Sequence, residues 1–299
     1  MRQLRIALPW LTALAILAFL FARIDAQATW SALARADALR YAGLACAFSL
    51  LWLALDATVL RNLFAPLGAE LRWVDMLRER AATYPLMVVS FHLASAALVA
   101  RLARRTPVGL ARLGGGMLVH YLGDLAALAG VSLAAAWSLE GPLAGALRPL
   151  LAALALGAGA LLIAGRLARR QLRERPIVDA LADLSGADLA LLVAGRCAWY
   201  ASFSLFVWST APCFDLALPF ADVVARTPLV LAIAGLPIAP AGLGTAQAAL
   251  VVLFDTLGPQ PQLLAYGLVF GATLIVLRLP IGALALWRGP RSLAHGEAS

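Results

Sequence analysis

Residues 236–254 read LPIAPAGLGTAQAALVVLF, a stretch apolar enough to lie inside a bilayer yet broken where a spanning helix would continue. Pro237, Pro240, Gly242 and Gly244 fall within eight residues of one another. Proline removes a helical hydrogen bond and clashes with the turn before it, while glycine turns the chain at little steric cost. The pattern predicts an incoming half-helix ended by Pro237 and Pro240, a turn at Gly242 and Gly244, and an outgoing helix from Thr245. Irregular backbone at membrane depth survives only where protein or a water-filled cavity satisfies its polar groups. The stretch is therefore expected to line a site.

The surrounding chain supports a lipid setting. Its 299 residues are 63% hydrophobic and 13% charged, with a mean hydropathy of +0.86. Soluble domains run at about 45–50% apolar and about 25% charged. Apolar segments at about 6–22, 39–60, 113–137, 146–165, 189–210 and 263–287 approach the ~20 residues that cross a bilayer as helix. Two more, 81–100 with Tyr84-Pro85 and His92, and 223–257 with the opening stretch, are irregular. The even alternation of a membrane barrel is absent. The expectation is an all-α polytopic integral membrane protein, a single membrane domain over 1–299 with about six full spans.

All 24 basic residues are arginine, and the net charge is +8. Arginine gathers in the cytoplasmic loops of membrane proteins, so the basicity speaks for topology rather than nucleic-acid binding. Cys46, Cys197 and Cys213 form no CxxC or His-rich cluster, so neither a disulfide framework, a metal nor a cofactor is indicated. The amino terminus imitates a secretory signal: Arg2 and Arg5, an apolar run, then Ala26-Gln27-Ala28. In a chain with so many later spans it reads as an uncleaved first helix. The eight tryptophans read as interfacial anchors.

Placing the arginines exposes a conflict. Residues 61–80 and 101–112 are both Arg-rich, so both belong on the cytoplasmic side, which a single crossing by 81–100 forbids. A segment that dips in and returns removes the conflict; the alternative is a local failure of the positive-inside rule. Residues 211–222 and 258–262 carry no basic residue and both read as outward-facing, so 223–257 would enter and return from the opposite side. The order span, span, hairpin, span then occurs twice with opposite orientation, as inverted repeats over 1–137 and 146–288. Such repeats with discontinuous helices are the architecture of many secondary transporters.

The stretch P-I-A-P-A-G-L-G-T-A-Q-A-A-L, together with the first two apolar segments and their connection over 13–68, resembles the lysylphosphatidylglycerol synthase transmembrane family. The resemblance implies membrane-embedded handling or flipping of lipids. The family pattern carries an acidic residue after the Gly-Leu-Gly turn, where Gln247 stands in this chain. Its first hairpin carries a Gly-Glu pair that is missing between Pro85 and Arg101, and an acidic-Arg pair is replaced by His120-Tyr121 before Asp124. A carboxylate-dependent mechanism is therefore not carried over. The sequence runs about a dozen residues past its last apolar segment, so the soluble aminoacyl-transfer domain of a synthase is not expected.

Ionisable residues inside a span cost about 2.5–3.5 kcal/mol each, so they mark candidates. Asp124 and His120 share a helical face at i, i+4; Arg196 and Arg278 lie within apolar segments, and Arg226 begins the second hairpin. Arg196, Arg278 and Arg226 are the candidate phosphate ligands, since a guanidinium fork meets phosphate oxygens two at a time. Asp124 would balance them and His120 would titrate. The turn at Gly242 and Gly244, with Thr245 and Gln247 opening the outgoing helix, offers an anion-attracting N-terminus. The alternative for each residue is a structural ion pair, such as Asp124 with Arg278. The Arg-rich loops read as topology signals, and Gly114-Gly115-Gly116 as a close helix contact rather than a phosphate loop. The expected partners are membrane lipids with anionic headgroups, no nucleic acid, and a second copy or biosynthetic partner proteins. The expected location is the inner (cytoplasmic) membrane of a bacterium, with both termini cytoplasmic. No catalytic motif is recognised; an intramembrane lipid-modifying enzyme and a non-catalytic partner in envelope lipid or polysaccharide biosynthesis remain the competing readings.

Overall fold

Hydrocarbon offers backbone amides no water, so apolar segments satisfy themselves as helices. A computed structural model describes residues 2–137, 142–167, 180–181, 183–236, 239 and 242–287, and no strand occurs among them. Each of the six predicted apolar segments is a helix: α1 (Arg2–Arg23), α3 (Ala38–Phe64), α7 (Leu110–Ala136), α8 (Pro142–Leu167), α9 (Gly186–Thr210) and α12 (Gln260–Trp287). Between them lie α2 (Ala26–Arg35), α4 (Trp73–Ala82), α5 (Tyr84–Met87), α6 (Phe91–Arg105), α10 (Phe220–Gly235) and α11 (Thr245–Phe254).

By length and composition, four helical stretches can cross a bilayer, 38–67, 110–136, 186–214 and 260–287. A fifth appears if α1 and α2 are counted together as one bent element. That is fewer than the six expected; among the described residues α8 contributes a shorter apolar helix, Arg148–Ala164. The bend of 97° between α1 and α2 has a local cause. Asp25 Oδ1 accepts from the amides of Gln27 and Ala28 at 2.8 and 3.0 Å, ending one helix and starting the next. Asp37 does the same for α3 through the Arg40 amide, and Ser185 with Asp188 forms a capping box on α9.

α3 and α9 form the central pair, and they run antiparallel. Gly195 lies against Val59, where a Cβ would sit 2.6 Å from Cγ2, so only glycine allows the approach. Further along, Trp52 stacks on Phe203 at 3.7 Å, and Tyr41 meets Phe206 and Phe214 edge-on. α7 lies parallel to α9, with Gly123 against Leu192 and with Ala127 and Leu128 clustered around Tyr200. Gly116 packs on Phe64 and Leu67, as the close-contact reading of the glycine run expected.

The two irregular regions are broken helix pairs. The first is wider than the predicted 81–100: its arms are α4 and α6, spanning Trp73–Arg105, with α5 at the break. The three charges of Arg78-Glu79-Arg80 hid the first arm from a hydropathy reading. Pro85 opens α5, where its missing N–H costs nothing. The second pair is α10 and α11; Pro237 and Pro240 lie outside the described residues.

Both pairs lodge between α7 and α12. On α7, the first half takes α6, with the Phe91 and Tyr121 rings 6.0 Å apart. Its second half takes α10, through Ala136 with Ala225 and Ala127 and Leu128 with Leu229 and Ala232. On α12, Gly267 and Gly271 lie under Gln247 of α11. Gly282 lies under Pro85, where a Cβ would come within 2.3 Å of the ring. The two breaks thus reach the middle of α7 and of α12 from opposite directions. The outward residues, among them Leu156, Val252 and Val276, are apolar and exposed, a surface made for lipid tails.

Candidate functional site

Arg80, at the last turn of α4, is only 2% exposed although it sits in a run of charges. A buried guanidinium needs a counter-charge, and Arg80 Nε donates to Asp56 Oδ2 on α3. The other oxygen of Asp56 faces Arg196 Nη1 at 3.3 Å. Arg196, itself 3% exposed, donates through Nε to Asp124 Oδ1 on α7 at 2.5 Å. The chain Arg80–Asp56–Arg196–Asp124 therefore ties the first broken pair to α3, α9 and α7. The Arg196 guanidinium lies 4.3 Å from the Trp199 ring centre and 5.6 Å from that of Tyr200. Trp199 and Trp52 serve this core, not the interfacial role expected of the tryptophans.

Three polar groups around this chain are left over. Arg80 Nη1 and His120 Nδ1 are buried without a hydrogen-bond partner. Arg278 on α12 lies 5.9 Å from the Tyr84 ring and within electrostatic range of Arg80 and Asp56. Among the described residues its guanidinium makes no hydrogen bond or ion pair, so the alternative pairing of Asp124 with Arg278 is not formed; Asp124 pairs with Arg196. Three arginines against Asp56 and Asp124 leave one positive charge in the cluster. His92 is exposed and packs beside Tyr121 rather than inside the break.

Of the nine predicted site residues the structure brings Asp124, His120, Arg196 and Arg278 together. Arg226 stands apart. Its Nη2 donates to Asp222 and its Nη1 to the Leu253 carbonyl, both at 2.6 Å, so it staples α10 to α11. Glu79, 1% exposed, staples the first pair in the same way. It accepts from Arg101 at 2.5 Å and pairs with Arg105 at 2.9 Å. Sequence reasoning assigned these arginines to topology and missed Arg80 and Glu79. The signal was their helical register with Met76, Thr83 and Met87, all buried on one face.

The glycine turn is a joint. Gly242 and Gly244 have φ of +71° and +80°, a region other residues enter with strain. A Cβ on Gly244 would also come within 2.9 Å of the Ala13 carbonyl on α1. Thr245 Oγ1 donates to the Gly242 carbonyl at 3.0 Å. Gln247 accepts from the Gly244 amide at 2.7 Å and donates to the Gly267 carbonyl at 3.0 Å. A carboxylate in its place accepts only, so glutamine here buys the bond to α12. No hydrogen bond or ion pair joins this turn to the arginine cluster among the described residues. A groove of about 400 Å³ lined by Arg40, Trp208, Ser209 and Pro219 lies at the far end of α9 and includes none of the cluster.

The comparisons with known proteins agree with the sequence resemblance. The family model of the lysylphosphatidylglycerol synthase transmembrane region matches residues 5–282. No curated protein matches the chain. The chain belongs to that family, and it is a multi-pass membrane protein of a group associated with lipid biosynthesis or transport.

Proposed function

We propose that this member of the family moves an anionic phospholipid or lipid-linked intermediate between leaflets, without covalent chemistry on it. The observation that carries the reading is the meeting of both helix breaks at mid-length of α7 and α12, beside an ion network with one surplus positive charge. A headgroup crosses hydrocarbon at a cost of several kcal/mol, as buried ions do. A protein lowers that barrier by offering fixed charges part-way across.

In this reading α1, α3, α7, α8, α9 and α12 are six spans, and the two broken pairs are re-entrant hairpins entering from opposite faces. The halves 1–137 and 146–288 are then an inverted repeat, with α3 and α9 as equivalent helices, as are α7 and α12. Their antiparallel packing at the centre and the shared grip of α7 and α12 on both hairpins support it. Arg61 and Arg72 before α4 and the Arg-rich end of α6 face the cytoplasm, as do both termini, and the membrane is the inner membrane of a bacterium. With no nucleotide-binding motif in the chain, movement is passive, gradient-driven or coupled to a partner protein.

The test is reconstitution into liposomes holding fluorescent phospholipids of several headgroups, with dithionite added to quench the outer leaflet. Wild-type protein is expected to expose inner-leaflet lipid faster than protein-free vesicles. A variant carrying Arg196→Ala and Arg278→Ala is expected to lose most of the gain. Equal, slow rates for both proteins across all headgroups reject the proposal.

A further inference from the structure

α12 shows one face to both breaks. Gly267 and Gly271 lie under Gln247, and Gly282 lies under Pro85. Arg278 shares this face, at i+7 from Gly271 and i−4 from Gly282. At 1.5 Å per residue it stands about 10 Å from the contact with the second pair and about 6 Å from the contact with the first. It is thus the charged residue on α12 that lies between its contacts with the two breaks.

The flanks of Arg278 face the bilayer: Val276 is 64% and Leu279 44% exposed. Arg278 is half-buried, makes no hydrogen bond or ion pair among the described residues, and rests its guanidinium over Tyr84. Behind it, Arg80 keeps Nη1 free while its Nε is held by Asp56. His120 Nδ1, also free, belongs to the same cluster. Arg196 differs: it is committed on both sides, to Asp56 and Asp124.

We infer that a monoanionic phosphate ester binds at Arg278, between the first break and α12, with Arg80 as the second donor. This rests on the transport reading for the route by which a lipid arrives, and it changes the ligand set from Arg196, Arg226 and Arg278 to Arg278 and Arg80. The charge decides the class. One surplus positive charge is neutralised by a phosphodiester, whereas a pyrophosphate-linked lipid brings at least two negative charges and leaves the cluster negative in a low-dielectric setting. Guanidinium donors suit the two free oxygens of a phosphodiester. The exposed apolar flanks suit its tails, so the phosphate source is a lipid rather than a soluble ester.

The experiment is native mass spectrometry of the detergent-solubilised full chain, titrated with phosphatidylglycerol and, separately, with diacylglycerol of the same tails. Arg278→Gln is expected to weaken phosphatidylglycerol binding at least tenfold, Arg278→Lys to restore part of it, and diacylglycerol binding to be unchanged in both. Arg40→Gln, in the remote groove, is expected to bind as wild type. Comparable thermal midpoints for the variants exclude misfolding as the cause. Binding by Arg278→Gln within twofold of wild type overturns the site. Displacement of the lipid by an equal concentration of inorganic phosphate overturns the lipid source. Loss of binding in Arg278→Gln while neither protein accelerates lipid exchange upholds the site and sinks the transport reading.

Discussion

Replacing Arg196 with methionine removes the middle of the chain Arg80–Asp56–Arg196–Asp124 while nearly conserving side-chain volume. Asp56 keeps its bond to Arg80, so the carboxylate left without a cation is Asp124. Deleting one partner of a buried pair costs about 3–5 kcal/mol, because the other charge stays behind. Because the Asp124 side chain is 23% exposed, the cost is discounted to about 2–4 kcal/mol. Adding Asp124→Asn removes the orphan, so the double variant is expected to be more stable than Arg196→Met alone. Unfolding by sodium dodecyl sulfate in mixed micelles at pH 7 reads both quantities. A loss under about 1 kcal/mol for Arg196→Met, or a double variant no better than the single, refutes the reasoning.

Other joints give simpler expectations. Gln247→Glu loses the donor to the Gly267 carbonyl and buries a charge, so the same titration at pH 7 is expected to show a loss of about 1–3 kcal/mol despite restoring the acidic residue of the family pattern. Gly282→Leu drives a side chain into Pro85 and Ala81, and a cost of about 1–3 kcal/mol is expected, with faster proteolysis at the first break. Glu79→Gln leaves Arg101 and Arg105 without their carboxylate; since both arginines reach solvent, the thermal midpoint is expected to fall by only a few degrees, equivalent to about 1 kcal/mol.

Hydropathy located the long helices because an apolar run of that length has little choice but helix. All six apolar segments are helices whose ends lie within a few residues of the expected ones. The arms of the first break were not legible in the same way. Arg78-Glu79-Arg80 reads as a loop because burial of Arg80 depends on Asp56, 24 positions earlier, and burial of Glu79 on Arg101, 22 positions later. Such charges become apolar-compatible only as pairs, and a hydropathy window does not see pairs. Asp124, His120, Arg196 and Arg278 were legible as a set because each interrupts a hydrophobic run. Their division of labour was not. Arg196 is consumed by two aspartates from other helices, and Arg226 by Asp222 and the Leu253 carbonyl. The opening glycine turn was recognisable as a break, but its packing against Ala13 and Ile16 of α1 is a tertiary fact with no local signature.

The account depends on two half-depth hairpins meeting between α7 and α12, and thiol labelling tests that arrangement directly. In a chain with Cys46, Cys197 and Cys213 replaced, single cysteines at the exposed positions Arg72, Arg104, Phe220 and Asp255 are offered a membrane-impermeant maleimide in intact cells and in lysed cells. The account predicts that 72 and 104, the two ends of the first pair, react only after lysis, and that 220 and 255, the two ends of the second, react in intact cells. Labelling of 72 and 104 from opposite faces contradicts it, because the first pair would then cross the membrane and leave no gap for a headgroup beside Arg278.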